Sequence, residues 1–186
     1  YASFLPFRYG QKCTLSGTLA TMACGLPYAN AAQIAYPDRQ VVALVGDGGF
    51  SMLMAEFATA VKYNLPVKIA ILNNHYQGMV KQWQELFYKG RLSYSRMANP
   101  DFAKLAEGFG VKGIRCERKE DVHKAVEAMI NHPGPCVVDF ICEQNEHVYP
   151  MVASGKALHE MELGVVGKAA QAAPHPNSAR ELGTLA

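Results

Sequence analysis

Two oxygen-bearing side chains follow two apolar runs of this sequence. Asp47 lies in a Gly-Asp-Gly triplet directly after residues 40–45, and Asn74 comes directly after residues 67–72. A carboxylate and an amide oxygen suit a hard divalent cation such as Mg²⁺, which also takes oxygen ligands from phosphates. The pattern therefore indicates a site for Mg²⁺ and a diphosphate, with a nearby backbone carbonyl as a further protein ligand.

The elements around these residues would place them together. Residues 40–45 and 67–72 read as strands, and the β-branched first run suggests a strand buried on both faces. Residues 51–63 carry apolar side chains at helical spacing and predict one crossover helix. Ligands of a parallel α/β sheet bind at the carboxyl ends of its strands, where both Asp47 and Asn74 fall.

The glycines after Asp47 support an anion site. Gly48 and Gly49 let backbone N–H groups approach a phosphate at the start of the following helix. A lone Gly-Asp-Gly or Asn-Asn is usually a plain turn. The two together, each at the end of a predicted strand, favour a diphosphate and magnesium site.

Strand and helix patterns alternate along the rest of the chain. Further strands are predicted at residues 113–116 and 136–142, and further helices at 28–35, 78–88, after Pro100-Asp101 and at 119–130. This alternation predicts an α/β fold, a parallel sheet with right-handed crossovers and helices on both faces. We expect one domain over residues 1–165 and a flexible Ala/Pro/Ser-rich tail at 166–186.

Composition narrows the classes of partner. The formal net charge is +2, without a basic run, and no apolar stretch is long enough to span a bilayer, so we expect neither nucleic acid nor a membrane as partner. The five cysteines show no CxxC spacing, and residues 1–8 lack a secretory pattern. A reducing compartment is expected, the cytoplasm first and an organelle matrix second. The first residue is not Met, which suggests a piece of a longer protein.

One stretch resembles a known family. Residues 46–74 match the signature of thiamine diphosphate-dependent enzymes, and residues 73–88, with Met79, Val80, Gln82 and Trp83, are similar to the acetolactate synthase catalytic subunit. Residues 16–27, 99–107 and 149–158 extend the resemblance, which covers roughly residues 10–165. It implies the thiamine diphosphate-binding fold and the C-terminal domain of such an enzyme.

The resemblance also implies the site residues. Asp47 and Asn74 would ligate Mg²⁺ through their side chains and Tyr76 through its backbone carbonyl. Met22 would lie beneath the cofactor, with a core methionine as the alternative, and the Ala20 carbonyl would accept from the cofactor's amino group. The implied cofactor-binding residues are Ala20, Met22, Gly46, Asp47, Gly48, Gly49, Asn74, Tyr76, Gly78 and Met79.

Substrate selection would rest on a few positions. Trp83 would line the pocket for the second 2-oxo acid and, with Met22, count as a catalytic-site residue; a helix-face aromatic packed in the core is the alternative. The family usually has glycines at the positions of Thr18 and Ala20. The replacements here bear on the geometry of that loop and on specificity.

The implied reaction needs parts beyond these residues. The family decarboxylates pyruvate and transfers the two-carbon unit to a second 2-oxo acid in branched-chain amino-acid biosynthesis. A glutamate from a pyrimidine-binding domain, of the same or a partner chain, activates the cofactor, and a homodimer or tetramer is implied. The resemblance leaves open whether a full-length parent binds FAD, which this domain alone would not bind. We therefore expect these residues alone to bind the cofactor weakly and to be inactive.

Three alternatives stay open. Residues 46–54 also look like the pyruvate oxidase or quinone-linked pyruvate dehydrogenase branch. A sulfopyruvate decarboxylase-like subunit fits the length but lacks the Trp83 motif. A non-catalytic module that keeps the fold is the third, although such a module would be free to lose Asp47 or Asn74.

Overall fold

The computed structural model describes residues 6–164, and four parallel strands form its sheet. The strands are β1 (Val42–Gly46), β2 (Lys68–Asn73), β3 (Lys112–Cys116) and β4 (Cys136–Ile141). They lie in the order β1-β2-β4-β3, all parallel. The α-helices are α1 (Gly25–Ala35), α2 (Asp47–Met52), α3 (Phe57–Lys62), α4 (Gly78–Phe87), α5 (Phe102–Gly108) and α6 (Val122–Asn131).

Helices cover both faces of the sheet. Alternate strand residues point to opposite faces, so two apolar clusters form. One cluster joins residues such as Ile69 and Val137 to helices α1, α3 and α5, and the other joins Ala70 and Val138 to α6. The predicted fold class, a parallel sheet with helices on both faces, is confirmed.

Strand β1 differs from its prediction. It runs over Val42–Gly46, and Val42 and Leu44 are 43% and 47% exposed, so it is not buried on both faces. The reason is its position: β1 is an edge strand that pairs only with β2 in the described sheet, and α6 packs over β3 and β4. Its other face, with Ala43, belongs to the core.

The crossover between β1 and β2 is not the single helix that was predicted over residues 51–63. Helix α2 begins earlier, at Asp47, and stops at Met52; a 3₁₀ turn over Met54–Glu56 then leads into α3. Phe50 packs edge-on against Phe57 and Phe102, with ring centroids 5.3 and 5.4 Å apart. Such aromatic packing anchors α2, and therefore Asp47, to the core.

Other boundaries shift by a few residues. Helix α1 starts at Gly25 rather than residue 28, since Pro27 is tolerated in a first turn. The segment predicted as a helix over 119–130 opens with a 3₁₀ turn, Lys119–Asp121, before α6. The predicted tail at 166–186 lies outside the described residues. Among residues 6–164, no helix has the length and apolarity needed to cross a membrane.

Candidate functional site

The strand ends bring the first predicted site residues close. Strand β1 ends at Gly46 and its neighbour β2 at Asn73, with Gly46 in register with Leu72. Asp47, the first residue of α2, and Asn74, the first residue after β2, therefore stand at the same edge of the sheet. Asp47 is buried, while Asn74 is half-buried. This is the juxtaposition that the sequence predicted.

The two consecutive asparagines have different surroundings. Asn73 is fully buried, and its amide nitrogen donates to the Asp139 carboxylate at 3.0 Å. The Asn74 side-chain oxygen accepts from the Tyr76 backbone N–H at 3.1 Å and is left with a further lone pair. Asn74 is thus the one of the pair that can offer an oxygen to a bound ion.

Asn99 holds Asp47 in place, and sequence reasoning assigned it no role. Its amide nitrogen donates to the Asp47 carboxylate at 2.6 Å and to the Asn73 side-chain oxygen at 2.9 Å. Its own oxygen is buried and has no hydrogen-bond partner among the described residues. Its signals in the sequence were its place before Pro100-Asp101, ahead of α5, and the family resemblance of residues 99–107.

Asp139 is a second residue that sequence reasoning missed. It is a fully buried carboxylate on β4, and Arg115 on β3 contacts it at 3.2 Å. Burial raises the pKa of the Asp139 carboxyl, against the hydrogen bond from Asn73 and the charge of Arg115. A charged residue inside the apolar run of β4 was the available signal.

Backbone hydrogen bonds to residues 95–97 support the loop after Asn74. Gln77 N–H donates to the Ser95 carbonyl at 2.7 Å, and Met97 N–H donates to the His75 carbonyl at 2.8 Å. His75 has a φ of +59°, a left-handed conformation that is uncommon outside glycine, although histidine adopts it more often than most residues. The segment predicted as an irregular loop at 90–99 therefore supports the turn that presents Asn74 and Tyr76.

Gly48 permits a close approach at the start of α2. A Cβ atom built there would lie 2.6 Å from the Gln77 side-chain amide nitrogen. Nearby, a Cβ on Gly49 would meet the Ala23 backbone nitrogen at 3.7 Å, so the loop before α1 also lies against α2. The predicted positions Gly48, Gly49 and the segment containing Met22 are thereby neighbours.

Met22 and Trp83 are not core residues. They are 52% and 55% exposed, which excludes the core alternative for both in the described structure. Ala20 has a φ of +48°, a left-handed conformation that glycine adopts readily and that strains alanine by about 1–2 kcal/mol. A glycine at this position would adopt the same conformation without that strain.

Helix α4 presents its apolar side outward. Its exposed apolar residues are Met79, Val80, Trp83, Leu86 and Phe87. Its buried side is polar: the Gln82 amide exchanges hydrogen bonds with the Val148 backbone at 2.8 and 3.2 Å, and Lys81 donates to the Gln144 carbonyl at 3.1 Å. These contacts fasten the chain after β4 to α4 and turn Trp83 away from the core.

The described donor set is small. Among residues 6–164, no group of three or more His, Cys, Asp or Glu side chains could hold a metal ion. Asp47 is the single carboxylate among the three predicted ligands, beside the Asn74 amide and the Tyr76 carbonyl. Such a set leaves positions for phosphate and water oxygens, as Mg²⁺ requires when it bridges protein and a phosphorylated ligand.

Comparison with known proteins gives a consistent result. Residues 1–140 match the family described as "Thiamine pyrophosphate enzyme, C-terminal TPP binding domain". The chain is 44% identical over 162 residues to a protein of Schizosaccharomyces pombe named acetolactate synthase, mitochondrial, covering 87% of this chain and 24% of that one. It is 47% identical over 148 residues to the acetolactate synthase large subunit of Pyropia yezoensis, covering 78% and 25%.

A solved structure shares the fold. The thiamine diphosphate-dependent 4-hydroxybenzoylformate decarboxylase of Rhodococcus jostii RHA1 aligns with a TM-score of 0.62 and 33% identity, over 66% of this chain and 23% of that one. The chain spans about a quarter of the length of the curated relatives described above. The resemblance to thiamine diphosphate enzymes that the motifs indicated is confirmed.

Proposed function

The chain belongs to the family of C-terminal, TPP-binding domains of thiamine pyrophosphate enzymes, and from this we propose that the strand-end site binds thiamine diphosphate through Mg²⁺. Asp47 and Asn74 would ligate the ion with side-chain oxygens and Tyr76 with its backbone carbonyl. The observation that carries the proposal is the placement of Asp47 and Asn74 at adjacent ends of β1 and β2.

The residues present fit this cofactor. One carboxylate and two neutral oxygens neutralise only part of the Mg²⁺ charge. They also leave coordination positions for the oxygens of a diphosphate. The buried, unpaired oxygen of Asn99 beside Asp47 fits a site that is completed by a ligand or water, because buried acceptors rarely stay without a donor. Gly48 is a proposed backbone contact of the diphosphate at the start of α2, where it also packs against the Gln77 side chain. Gly46, Gly49, Gly78 and Met79 are the remaining proposed cofactor contacts.

We further propose the activity of an acetolactate synthase, with pyruvate as donor and a second 2-oxo acid as acceptor. When bound, thiamine diphosphate supplies the carbon nucleophile that such decarboxylation and transfer require. This chain would hold the diphosphate end, support the cofactor rings with Met22, and shape the acceptor pocket with Trp83. Identities of 44% and 47% to proteins named acetolactate synthase support this reading.

The proposal includes parts outside this domain. A pyrimidine-binding domain of the same or a partner chain would supply the glutamate that activates the cofactor, within a homodimer or tetramer. The exposed apolar side of α4 supports burial against such a domain, since large apolar patches on a surface mark interaction sites. FAD, if present, would bind elsewhere in the parent. A cytoplasmic location stays a prediction, and the S. pombe relative is named as mitochondrial.

Product analysis tests the function. The natural full-length polypeptide is supplied with pyruvate, thiamine diphosphate and Mg²⁺, with an EDTA-treated sample as control. Acetolactate formed without an electron acceptor supports the synthase. Acetate formed only with an electron acceptor would indicate the oxidase branch instead. Failure of the folded protein to bind the cofactor would indicate a module without this activity.

A further inference from the structure

Two amides lie between two buried carboxylates at the carboxyl edge of the sheet. Asp139 accepts from Asn73 at 3.0 Å, the Asn73 oxygen accepts from Asn99 at 2.9 Å, and the same Asn99 nitrogen donates to Asp47 at 2.6 Å. The chain of contacts joins the ends of β1 and β2 to the interior of β4 and to the segment before α5. We call it the Asp139 relay.

The carboxylates at the two ends of the relay determine how the amides of Asn73 and Asn99 are oriented. Both carboxylate oxygens of Asp139 accept hydrogen bonds, one from Arg115 and the other from the amide nitrogen of Asn73. The oxygen of Asn73 must then face Asn99, and Asn99 must donate to it from its amide nitrogen. That nitrogen is the group that reaches Asp47. The orientation of each amide therefore follows from the role of Asp139 as an acceptor at both of its oxygens.

A branch of the relay reaches the other predicted ligands. The Asn73 oxygen also accepts from the His75 backbone N–H at 3.2 Å. His75 stands in a left-handed conformation between Asn74 and Tyr76, and Asn74 accepts from the Tyr76 N–H at 3.1 Å. The orientation of one buried amide thus bears on the turn that presents both residues.

Arg115 holds Asp139 as an acceptor. Its guanidinium donates to the second carboxylate oxygen of Asp139 at 3.2 Å, while Asn73 contacts the first. A cation on that side disfavours any arrangement in which a donor of residue 139 faces Arg115. The relay is therefore anchored at its far end.

We propose that Asp139 is a positioning residue that orients the Mg²⁺ ligands Asp47, Asn74 and Tyr76 through Asn73 and Asn99. This inference rests on the proposed function, since it assumes that those three residues bind the ion. Asp139 touches none of them itself. Its effect would pass through amide orientation, as outer hydrogen-bond partners tune metal ligands in other sites.

Asp139→Asn tests the relay with little change of volume. Arg115 would keep donating to the oxygen of the new amide, so the nitrogen of that amide would face Asn73. The Asn73 amide would then have to rotate to present its oxygen to residue 139. Its nitrogen would face the N–H donors of Asn99 and His75, which leaves donor against donor. Mg²⁺ affinity should fall about 10- to 100-fold. In the full-length polypeptide, Mg²⁺ is titrated with thiamine diphosphate present, and bound thiamine diphosphate is measured by equilibrium dialysis.

Glu117→Gln is the matched control. Glu117 also pairs with Arg115, at 2.7 Å, but it is exposed and does not contact Asn73. The relay predicts wild-type Mg²⁺ affinity for this variant. Equal losses in both variants would mean that Arg115 alone matters, and would overturn the proposal.

An exchange variant separates orientation from mere stability. The double variant Asn73→Asp, Asp139→Asn moves the carboxylate from β4 to the neighbouring strand β2. The carboxylate at position 73 can accept hydrogen bonds from residue 139, from Asn99 and from the His75 N–H. Mg²⁺ affinity should return to within a few-fold of wild type. Failure of this rescue overturns the proposal, and so does an Asp139→Asn variant that binds Mg²⁺ like wild type. If Asp139→Asn does not fold, the exchange variant decides alone.

The wild-type titration distinguishes the two levels of inference. A wild-type protein that binds neither Mg²⁺ nor thiamine diphosphate refutes the proposed function, and the relay falls with it. A wild-type protein that binds both, with an unaffected Asp139→Asn variant, refutes the relay only.

Discussion

The side-chain amide of Asn99 donates to the carboxylate of Asp47 at 2.6 Å, across 52 positions of sequence. A charge-assisted hydrogen bond of this kind is stronger than one between neutral groups and orients the carboxylate. One oxygen of Asp47 is thereby occupied by a protein donor. The other is the oxygen that the proposed site offers to Mg²⁺.

Asp47→Ala should remove cofactor binding while the fold persists. It deletes the only carboxylate of the proposed ligand set, so Mg²⁺-dependent thiamine diphosphate affinity is expected to fall at least about 100-fold. Calorimetric titration of the full-length protein measures this. Asp38→Ala, at an exposed position in the turn before β1, serves as the control and should bind normally. Normal binding by Asp47→Ala would refute the ligand assignment.

Trp83→Leu should change the choice of acceptor and leave the cofactor bound. The indole is 55% exposed on α4, and loss of its surface would weaken selection among 2-oxo acids that differ by a methylene, by roughly tenfold. Competition between pyruvate and 2-oxobutyrate, read as a product ratio, measures it. Tyr63→Leu, which removes an exposed aromatic side chain outside α4, is the control and should leave the ratio unchanged. An unchanged ratio in Trp83→Leu would remove this residue from the pocket.

Asp139 should make stability depend on pH with a defined sign. Burial raises the pKa of its carboxyl above the ordinary 3.8, so the folded state holds the proton more tightly than the unfolded state. Its contribution to the free energy of unfolding is full below about pH 3.8 and is lost as the pH rises through the folded pKa. The stability of wild type relative to Asp139→Asn should therefore fall as the pH rises.

Urea unfolding of the metal-free proteins at several pH values measures that difference. Subtraction of the two curves removes the groups that both proteins share. Glu117→Gln provides a comparison in which an exposed carboxylate is lost instead. A difference that grows in favour of wild type with rising pH would contradict the prediction.

Lys68→Met should destabilise the amino-terminal edge of the sheet. The buried ammonium of Lys68 donates to the carbonyls of His132 at 2.6 Å and Gly134 at 2.5 Å. Methionine fills similar space but leaves two partly buried carbonyls without a donor. Each unsatisfied carbonyl should lower the free energy of unfolding by about 1–3 kcal/mol. Urea unfolding of Lys68→Met measures the loss.

Lys124→Met, at an exposed position of α6, is the control for Lys68→Met and should change stability by less than about 0.5 kcal/mol. Because Lys68 lies at the opposite end of β2 from Asn73, cofactor affinity should stay unchanged. A Lys68→Met protein as stable as the control would mean that water replaces the ammonium at both carbonyls.

The sequence by itself determined the parallel α/β fold and the place of Asp47 and Asn74 within it. Both results depend on local signals: runs of β-branched residues, helical spacing, and glycine or asparagine where a strand stops. A strand end is read from its own residues, and parallel strands bring their carboxyl ends to one edge. The family resemblance added roles for Met22, Trp83 and Tyr76.

Only the tertiary structure decided which neighbours complete the site. Asn73 turns inward to Asp139, 66 positions away, while Asn74 remains half-exposed, and no local pattern distinguishes two adjacent asparagines. The partners depend on the strand order β1-β2-β4-β3, which places β4 beside β2. Exposure of Val42 on the edge strand has the same cause. Strand order is a property of the whole sheet, so long-range hydrogen bonds and edge positions appear only once the chain is folded.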